Sequence, residues 1–463
     1  LRPGRRALAA RPGEPGDLPA SISLRMMNAL TRDQAWHRLV AARPNLSFHA
    51  MDGLCLDDVP LASIAAAHGT PTWVYSAATI EGRLAALRAA FAGEGLAPAI
   101  RYAVKANDHL AILGLVRAGG AGADVTSAGE FARAEAAGIA PGAMVFSGVG
   151  KREDELRRAL AAGIGQLNVE SAEELEMISG IAAAMGVAAP VALRVNPDVA
   201  AGGHDKISTG RKGDKFGIGF DDAGALYRHA AALPGIEAVG FSTHIGSQIF
   251  APAAFEAAYR RVLGLIGALR GEGLAVRRLD LGGGFGIPYD DGTAFPFAAQ
   301  AAMVRRVLGG HDLELIVEPG RWLVGPAGVL LARVTLVKRA GAERFVVLDA
   351  GMNDLIRPAL YGARHGIVPV GAADAAGAPA PAEVVGPVCE SSDRFGTHDL
   401  PELAPGALVA LLDAGAYGAT MSSTYNGRPF AAQVMIADGA PQLIRRRQAL
   451  DELWRDEIVP PRR

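Results

Sequence analysis

Short apolar runs and amphipathic stretches alternate along most of the chain. From about residue 98 one unit repeats: a β-rich run, a loop, then a helix-spaced segment rich in Ala, Leu, Arg and Glu. The runs are "IRYAVKA", "GADVTS", "AMVFSG", "QLNVES", "VALRVN", "AVGFSTH", "RRLDLGG" and "ELIVEPG"; segments such as "SAGEFARAEAAG" and "SAEELEMISGIAAAMG" lie between them. Ser127 followed three residues later by Glu130 predicts an N-cap with a capping box. Strands alternating with helices predict a parallel sheet. Eight of them predict closure into a (β/α)8 barrel, with a doubly wound open sheet as the alternative.

After "EPGR" the pattern changes. "GVLLARVTLVKR", "ERFVVLDAG", "ALVALLDAG" and "AAQVMIADG" are β-type runs separated by Gly, Pro and Asp turns, with few helical periods between them. They predict a separate β domain, which the strand-like "LSFHAMDGLCLDD" and "TPTWVYS" join from the other side of the barrel. The expected division is a tail over 1–45, joining strands over 46–76, the barrel over 77–320 and a C-terminal β sandwich or barrel over 321–463. The first 25 or so residues, rich in Arg, Pro, Gly and Ala, have no apolar stretch fit for a signal peptide. They read as a disordered tail, or as an over-long start whose true beginning is Met26 or Met27.

Composition narrows the function. Half of the 463 residues are hydrophobic and the formal net charge is −2, which supplies two cores but no concentrated basic face for nucleic acid. Two cysteines, Cys55 and Cys389, make no disulfide framework and point to a reducing cytoplasm. No apolar run is long enough to predict a membrane span, and no metal-ligand spacing stands out.

One run breaks its own pattern. "RYAVKAN" reads as an interior strand, yet Lys105 sits within it, and burying an unpaired ammonium costs several kcal/mol. Either the charge is solvated at a strand end or the amine does chemistry. In a barrel, active sites form at the C-terminal ends of the strands. Lys105, Asp124, His244, the glycines of "GGGFG", Glu318 and Arg321 all fall there.

The ordered set "YAVKAN", "HIGSQI", "GGGFG", "EPGR", "CESSD" and "GAYG…SSTYNGRP" resembles the alanine-racemase-fold, pyridoxal-phosphate-dependent decarboxylases, above all those acting on diaminopimelate. The match runs from about residue 46 to the end, and "NPDVAAGGHDKISTGRKGDKFGIG" (196–219) is similar to that family's active-site loop. The resemblance implies a pyridoxal 5′-phosphate cofactor on a barrel joined to a β domain. It implies Lys105 as the Schiff-base lysine, an amine whose pKa must fall to attack an aldehyde. Gly282, Gly283 and Gly284, with Ser247 and Tyr417, hold the phosphate on this view, although a tight strand–helix turn explains the glycines about as well. Glu318 reaches the pyridine nitrogen and His244 stacks on the ring. Gly320 and Arg321 complete the cofactor site. Asp124 is either an acid beside the lysine or a cap for the helix near Ser127. Arg194 is a rim cation whose role the sequence leaves open.

The same resemblance makes Cys389 the catalytic thiol that returns a proton to the α-carbon. With Glu390, it reaches across a dimer interface, which implies a homodimer with shared sites. Arg321, Arg357, Tyr361, Glu390 and Tyr417 are the implied substrate contacts. Arg357 and Tyr361, four apart, face the same way on one helical turn, and a guanidinium fork suits a distal carboxylate. That favours meso-2,6-diaminopimelate, giving L-lysine and CO2, over a substrate whose far end is only an ammonium. The alternatives are a decarboxylase of the same fold acting on ornithine, arginine or a carrier-linked acid, a non-catalytic pyridoxal-phosphate-binding protein, and a metal-dependent barrel hydrolase or isomerase.

Overall fold

The eight apolar runs become eight parallel strands that close on themselves. In this computed structural model residues 35–461 are described, apart from 200–214 and 291. Most of the N-terminal tail and most of the 196–219 loop therefore lie outside the described residues.

Before the barrel come β1 (Leu46–His49), β2 (Gly53–Leu56), β3 (Val59–Pro60) and β4 (Thr72–Ser76). The barrel strands are β5 (Ala99–Ala103), β6 (Gly122–Val125), β7 (Met144–Phe146), β8 (Gln166–Val169) and β9 (Ala189–Asn196). After the short β10 (Ile218–Gly219) it continues with β11 (Ile236–Ser242), β12 (Arg278–Asp280) and β13 (Glu314–Val317). The pairing order β9-β11-β12-β13-β5-β6-β7-β8, with β8 paired back to β9, completes the ring. The open-sheet alternative is excluded by that last ladder, in which Leu167, Asn168 and Val169 face Val191, Ala192 and Leu193.

Side-chain spacing explains the helices around it. In Ala77–Gly93 the buried residues Ile80, Leu84, Leu87 and Phe91 recur every three or four positions, which puts them on one stripe against the strands. Burying each such side chain stabilises the fold by about 1.5–3 kcal/mol. The Ser76 side chain accepts the backbone N–H of Thr79 at 2.9 Å and caps that helix. At Ser127 only half of the expected capping box forms. Ser127 Oγ accepts from the Glu130 N–H at 3.2 Å, but the Glu130 carboxylate takes the N–H and hydroxyl of Thr126 instead, at 2.6 and 2.9 Å. Thr126 offers two donors where Ser127 would offer one, and it wins.

Beyond the barrel follow β14 (Gly328–Ala340), β15 (Glu343–Leu348), β16 (Ile367–Pro369), β17 (Ala380–Val385), β18 (Arg394–Leu400), β19 (Leu408–Leu411), β20 (Ala432–Ala437) and β21 (Ala440–Arg445). They form a largely antiparallel sheet in the order β18-β17-β15-β14-β4-β20-β21, with β19 bridging β14 and β16. The segment "TPTWVYS" enters this sheet as β4, between β14 and β20. Residues 46–60 do not: β1, β2 and β3 make a small sheet of their own, tied to the large one by the Leu54 N–H to the Val370 carbonyl at 2.8 Å. One apolar cluster, containing Trp73, Tyr75, Tyr102 and Leu330, is continuous from barrel to β lobe. The lobes are thereby fixed against each other at the strand ends where the unusual residues lie.

Candidate active site

The strand of "RYAVKAN" stops at Ala103, whose partner across the ladder is Asp124. Lys105 follows on a 3-10 turn, Val104–Ala106, not within the strand as the apolar pattern suggested. The turn is clamped from the β lobe. The Tyr417 N–H donates to the Ala106 carbonyl at 2.7 Å, and Asn107 Nδ2 donates to the Gly415 carbonyl at 3.0 Å.

Lys105 Nζ meets Asp124 Oδ2 at 2.7 Å. Asp124 is fully buried and caps no helix, a role held by Ser127. Lys105 is surrounded by protein but borders a cavity of about 160 Å³, lined also by His244, Glu318, Asn168, Arg194 and Phe216, so 40% of its side chain is open to a water-sized molecule. The expected fall in its pKa is overturned. Burial alone would push the ammonium down, but the Asp124 carboxylate, by its charge and its hydrogen bond, offsets it and holds Lys105 above the ordinary lysine range. A unit charge pair at this separation attracts by roughly 6 kcal/mol at an effective dielectric near 20, before desolvation. The amine is stored as a cation.

Glu318 faces it across the cavity, at the end of β13, and is 7% exposed. Burial and the nearby Asp124 and Asp280 carboxylates raise its pKa well above the usual range. Asn168 Nδ2 lies 3.5 Å from its Oε1. His244 is held by the Gly283 N–H, which donates to its Nδ1 at 3.2 Å. Burial and the cations Arg194 and Lys105 lower its pKa well below the ordinary value, so the ring is neutral. Arg194 lines the same cavity, pinned by Glu170 at 2.7 Å and set over the Phe216 ring at 4.9 Å.

The glycine loop admits nothing larger. A Cβ on Gly282 would lie 2.3 Å from the Thr243 carbonyl oxygen, on Gly283 2.0 Å from that of Glu318, and on Gly284 2.1 Å from that of Gly246; Gly282 and Gly284 also have φ of +67° and +96°. These contacts come from backbone, which cannot yield, so glycine is required at each.

A second group bridges the lobes. Arg321 donates to Tyr289 Oη at 2.7 Å and to Ser247 Oγ at 3.3 Å, with the Tyr417 ring 4.7 Å from its guanidinium. Arg357 lies over the Tyr289 ring, 4.5 Å from its centroid, and its Nη1 is 2.6 Å from His365 Nε2. Both arginines are buried. Neither has an ion pair among the described residues, and the Nε of each lacks a hydrogen-bond partner there. Two desolvated cations with unsatisfied donors select for anions. Tyr361, at the end of the Arg357–Tyr361 turn, is half-buried beside them. Gly320 packs against Ala103 and Ala106, where a Cβ would come within 3.1 and 3.3 Å of their methyls, and 3.6 Å from Tyr417 Oη.

Cys389 and Glu390 are not gathered into this site. Both are exposed, and their hydrogen bonds stay within the β lobe: the Cys389 N–H donates to Asn426 Oδ1 at 2.8 Å and the Glu390 N–H to the Val388 carbonyl at 2.8 Å. Sequence reasoning missed Tyr289, His365, Asn168 and Asp280. The aspartate stood in "LDLGG", two residues before the first glycine; the other three carried no local signal.

The family described as "Pyridoxal-dependent decarboxylase, pyridoxal binding domain" matches residues 77–325. The chain belongs to that family. It is 46% identical over 408 residues to the diaminopimelate decarboxylase of Zymomonas mobilis, covering 87% of this chain and 96% of that one. Against the enzyme of the same name from Pseudomonas aeruginosa the identity is again 46% over 408 residues, covering 88% and 97%. Among solved structures, diaminopimelate decarboxylase from Helicobacter pylori complexed with L-lysine superposes with a TM-score of 0.82 at 39% identity, covering 85% of this chain and 98% of that chain.

The residues present fit a pyridoxal group. They offer an amine and a carboxyl on opposite sides of a small cavity, a neutral imidazole beside it, and a backbone cradle free of Cβ atoms at its edge. Asp124 Oδ1, buried there, has no hydrogen-bond partner among the described residues.

Proposed function

We propose that this chain decarboxylates meso-2,6-diaminopimelate to L-lysine and CO2, the closing step of lysine synthesis, using pyridoxal 5′-phosphate. The observation that carries the reading is the placement of Lys105 and Glu318 on one buried cavity, with the unpaired guanidinium donors of Arg321 and Arg357 nearby. Relatives named for this reaction at 46% identity over most of the chain support it.

Pyridoxal phosphate, when bound, supplies an electron sink for the pair left as the carboxylate departs. Lys105 Nζ is the amine that tethers its aldehyde carbon, and Asp124 accepts the hydrogen bond that orients that amine. Glu318 pairs with the ring nitrogen and keeps it protonated. His244, neutral on the same cavity, would pack against the ring without adding a competing charge. The Gly282–Gly284 turn, the Ser247 hydroxyl and Tyr417 would hold the phosphate, with Gly320 allowing the approach and Arg321 bound to Ser247. Arg357, braced by His365 and Tyr289, takes the distal carboxylate together with Tyr361, and Arg321 adds a second cation.

Cys389 donates the proton that replaces CO2 at the α-carbon, and Glu390 receives the distal ammonium. Since both stand exposed on the β lobe, we assign them to the site of a second copy in a homodimer, where docking against the partner barrel desolvates them. Two free cysteines, one buried and one exposed, support placement in the cytoplasm. No helix among the described residues is long and apolar enough to cross a membrane.

Steady-state assays of CO2 release from diaminopimelate, ornithine, lysine and arginine test the reading. Diaminopimelate should lead by orders of magnitude, because a substrate lacking the far carboxylate leaves buried arginines unpaired. Ornithine as the best substrate would end the specificity argument.

A further inference from the structure

Asp280 lies at the C-terminal end of β12 with no exposed surface, and the proposed chemistry does not use it. Its carboxyl is a hydrogen-bond partner of Glu318. Two further donors converge on it from the side away from the cavity: the Gly282 N–H reaches Oδ1 at 3.0 Å, and Gln166 Nε2 reaches Oδ2 at 3.2 Å. Gln166 is itself oriented. Its Nε2 also bonds Asn168 Oδ1 at 2.8 Å, and its Oε1 accepts from Arg278 Nη1 at 3.2 Å. Asn168 in turn points its amide at Ser147 Oγ, 3.0 Å away, and toward Glu318. A line of buried polar side chains thus runs from Arg278 at the N-terminal mouth of the barrel to Glu318 at the cavity floor.

Two carboxyl groups in contact and out of water cannot both be charged; one proton is shared between them. The neighbours decide which group keeps it. Asp280 receives two N–H donors and feels Arg101 from β5, all of which favour its charged form. Glu318 has one long contact from Asn168 and faces Asp124, whose negative charge is already paired with Lys105. The other titratable groups packed around the pair are Tyr259 near Asp280, and Lys105, Arg194 and His244 on the cavity; Lys105 draws Glu318 toward its charged form, but less than burial and the Asp124 and Asp280 charges oppose it. None of these gives Glu318 a direct cationic partner.

We propose that Asp280 is a positioning residue: with Glu318 it holds one proton beneath the cavity, hydrogen on Glu318 and charge on Asp280, so that Glu318 stands ready with the proton a docking pyridine nitrogen needs. Both carboxyls titrate upward from their ordinary values, as burial of two neighbouring acids requires. When the ring nitrogen arrives, the O–H bond of Glu318 breaks, the proton goes to nitrogen, and the electron pair stays on the carboxylate. Asp280 would then act by its charge alone, adding negative potential that favours a pyridinium beside Glu318. This rests on the assignment of Glu318 to the ring nitrogen.

The test counts the protons taken from buffer when pyridoxal phosphate binds the full-length, cofactor-stripped protein at neutral pH, by calorimetry in buffers of different ionisation heat. Infrared spectra of the same samples report the C=O stretch of a protonated carboxyl. In Asp280→Asn the amide donates to Glu318 and favours its ionised form. The variant should draw up to one more proton from buffer than wild type, and its protonated-carboxyl stretch should weaken. In Glu318→Gln the stretch should disappear, which decides the matter alone if Asp280→Asn does not fold. Equal proton counts with an unchanged stretch in Asp280→Asn, or a stretch that survives in Glu318→Gln, overturns the inference. If Lys105 still forms a borohydride-fixed adduct in that case, the cofactor assignment stands; if wild type forms none, that assignment has failed on its own.

Discussion

Lys105 Nζ lies 2.7 Å from Asp124 Oδ2, on neighbouring strands whose registered pair, Ala103 and Asp124, leaves the lysine two residues beyond the ladder. The pairing charges the amine that the reaction needs neutral. An amine held this way becomes a nucleophile only after it gives up its proton, and a ligand that fills the cavity beside it removes the open space that favours the ammonium. Asp124 is thus both the restraint on Lys105 and the acceptor for its proton.

Lys105→Ala should abolish covalent attachment. Borohydride reduction of the wild type in the presence of pyridoxal phosphate should fix a cofactor adduct on the peptide containing Lys105, read by mass spectrometry. The variant should yield no such peptide. A wild-type adduct on any other lysine removes Lys105 from its role.

Cys389→Ala should lower turnover at least a hundredfold, in keeping with loss of a general acid, about 10²–10⁴-fold, while the cofactor remains bound. Because the thiol is exposed in one chain, the variants should also complement. Equal amounts of Lys105→Ala and Cys389→Ala, dissociated and reassembled, should recover about a quarter of wild-type activity, since random pairing in a two-fold dimer leaves that share of sites intact. No recovery, with dimers formed, would mean each site is built from one chain.

Arg357→Ala should raise KM for diaminopimelate well beyond tenfold, more than about 1.4 kcal/mol of binding, with a smaller change in kcat. Its guanidinium is shielded from solvent and braced by His365, so no other side chain slides into its place. An unaltered KM would show that the group binds nothing of the substrate.

Acid should destabilise the fold before it reaches the carboxylates. Burial, with Arg357 alongside, lowers the pKa of His365 to about 3 from an ordinary 6.5, and His398 and His109 shift the same way. The folded state keeps these rings neutral while the unfolded chain takes up protons, so stability is full above about pH 6.5 and falls as pH drops from there toward 3. The slope for His365 is about 1.4 kcal/mol per pH unit. Urea midpoints measured from pH 7 to 5 should show it, and His365→Gln, which keeps an acceptor for Arg357, should flatten it. A level profile in the wild type would contradict the buried neutral ring.

The sequence carried the repeat and the rim by itself. Apolar runs alternating with helical ones predict a parallel sheet and roughly where each strand ends, while the β8–β9 ladder decided that the sheet closes. Lys105, His244, Gly282–Gly284 and Glu318 were legible because each is chemically out of place at such an end, where apolar packing would prefer something else. Tertiary structure decided the rest. The pKa of Lys105 went up where desolvation alone predicted a fall, because Asp124 arrives from the neighbouring strand. Tyr289, His365, Asn168 and Asp280 gave no local sign, since their importance comes from contacts over long stretches of chain: Arg357 with His365 against Tyr289, and Gln166 with Asp280 at a separation of 114 residues. Periodicity is a property of neighbours in sequence and survives as a pattern of letters. Electrostatics depends on distance in space, and only the closed barrel sets those distances.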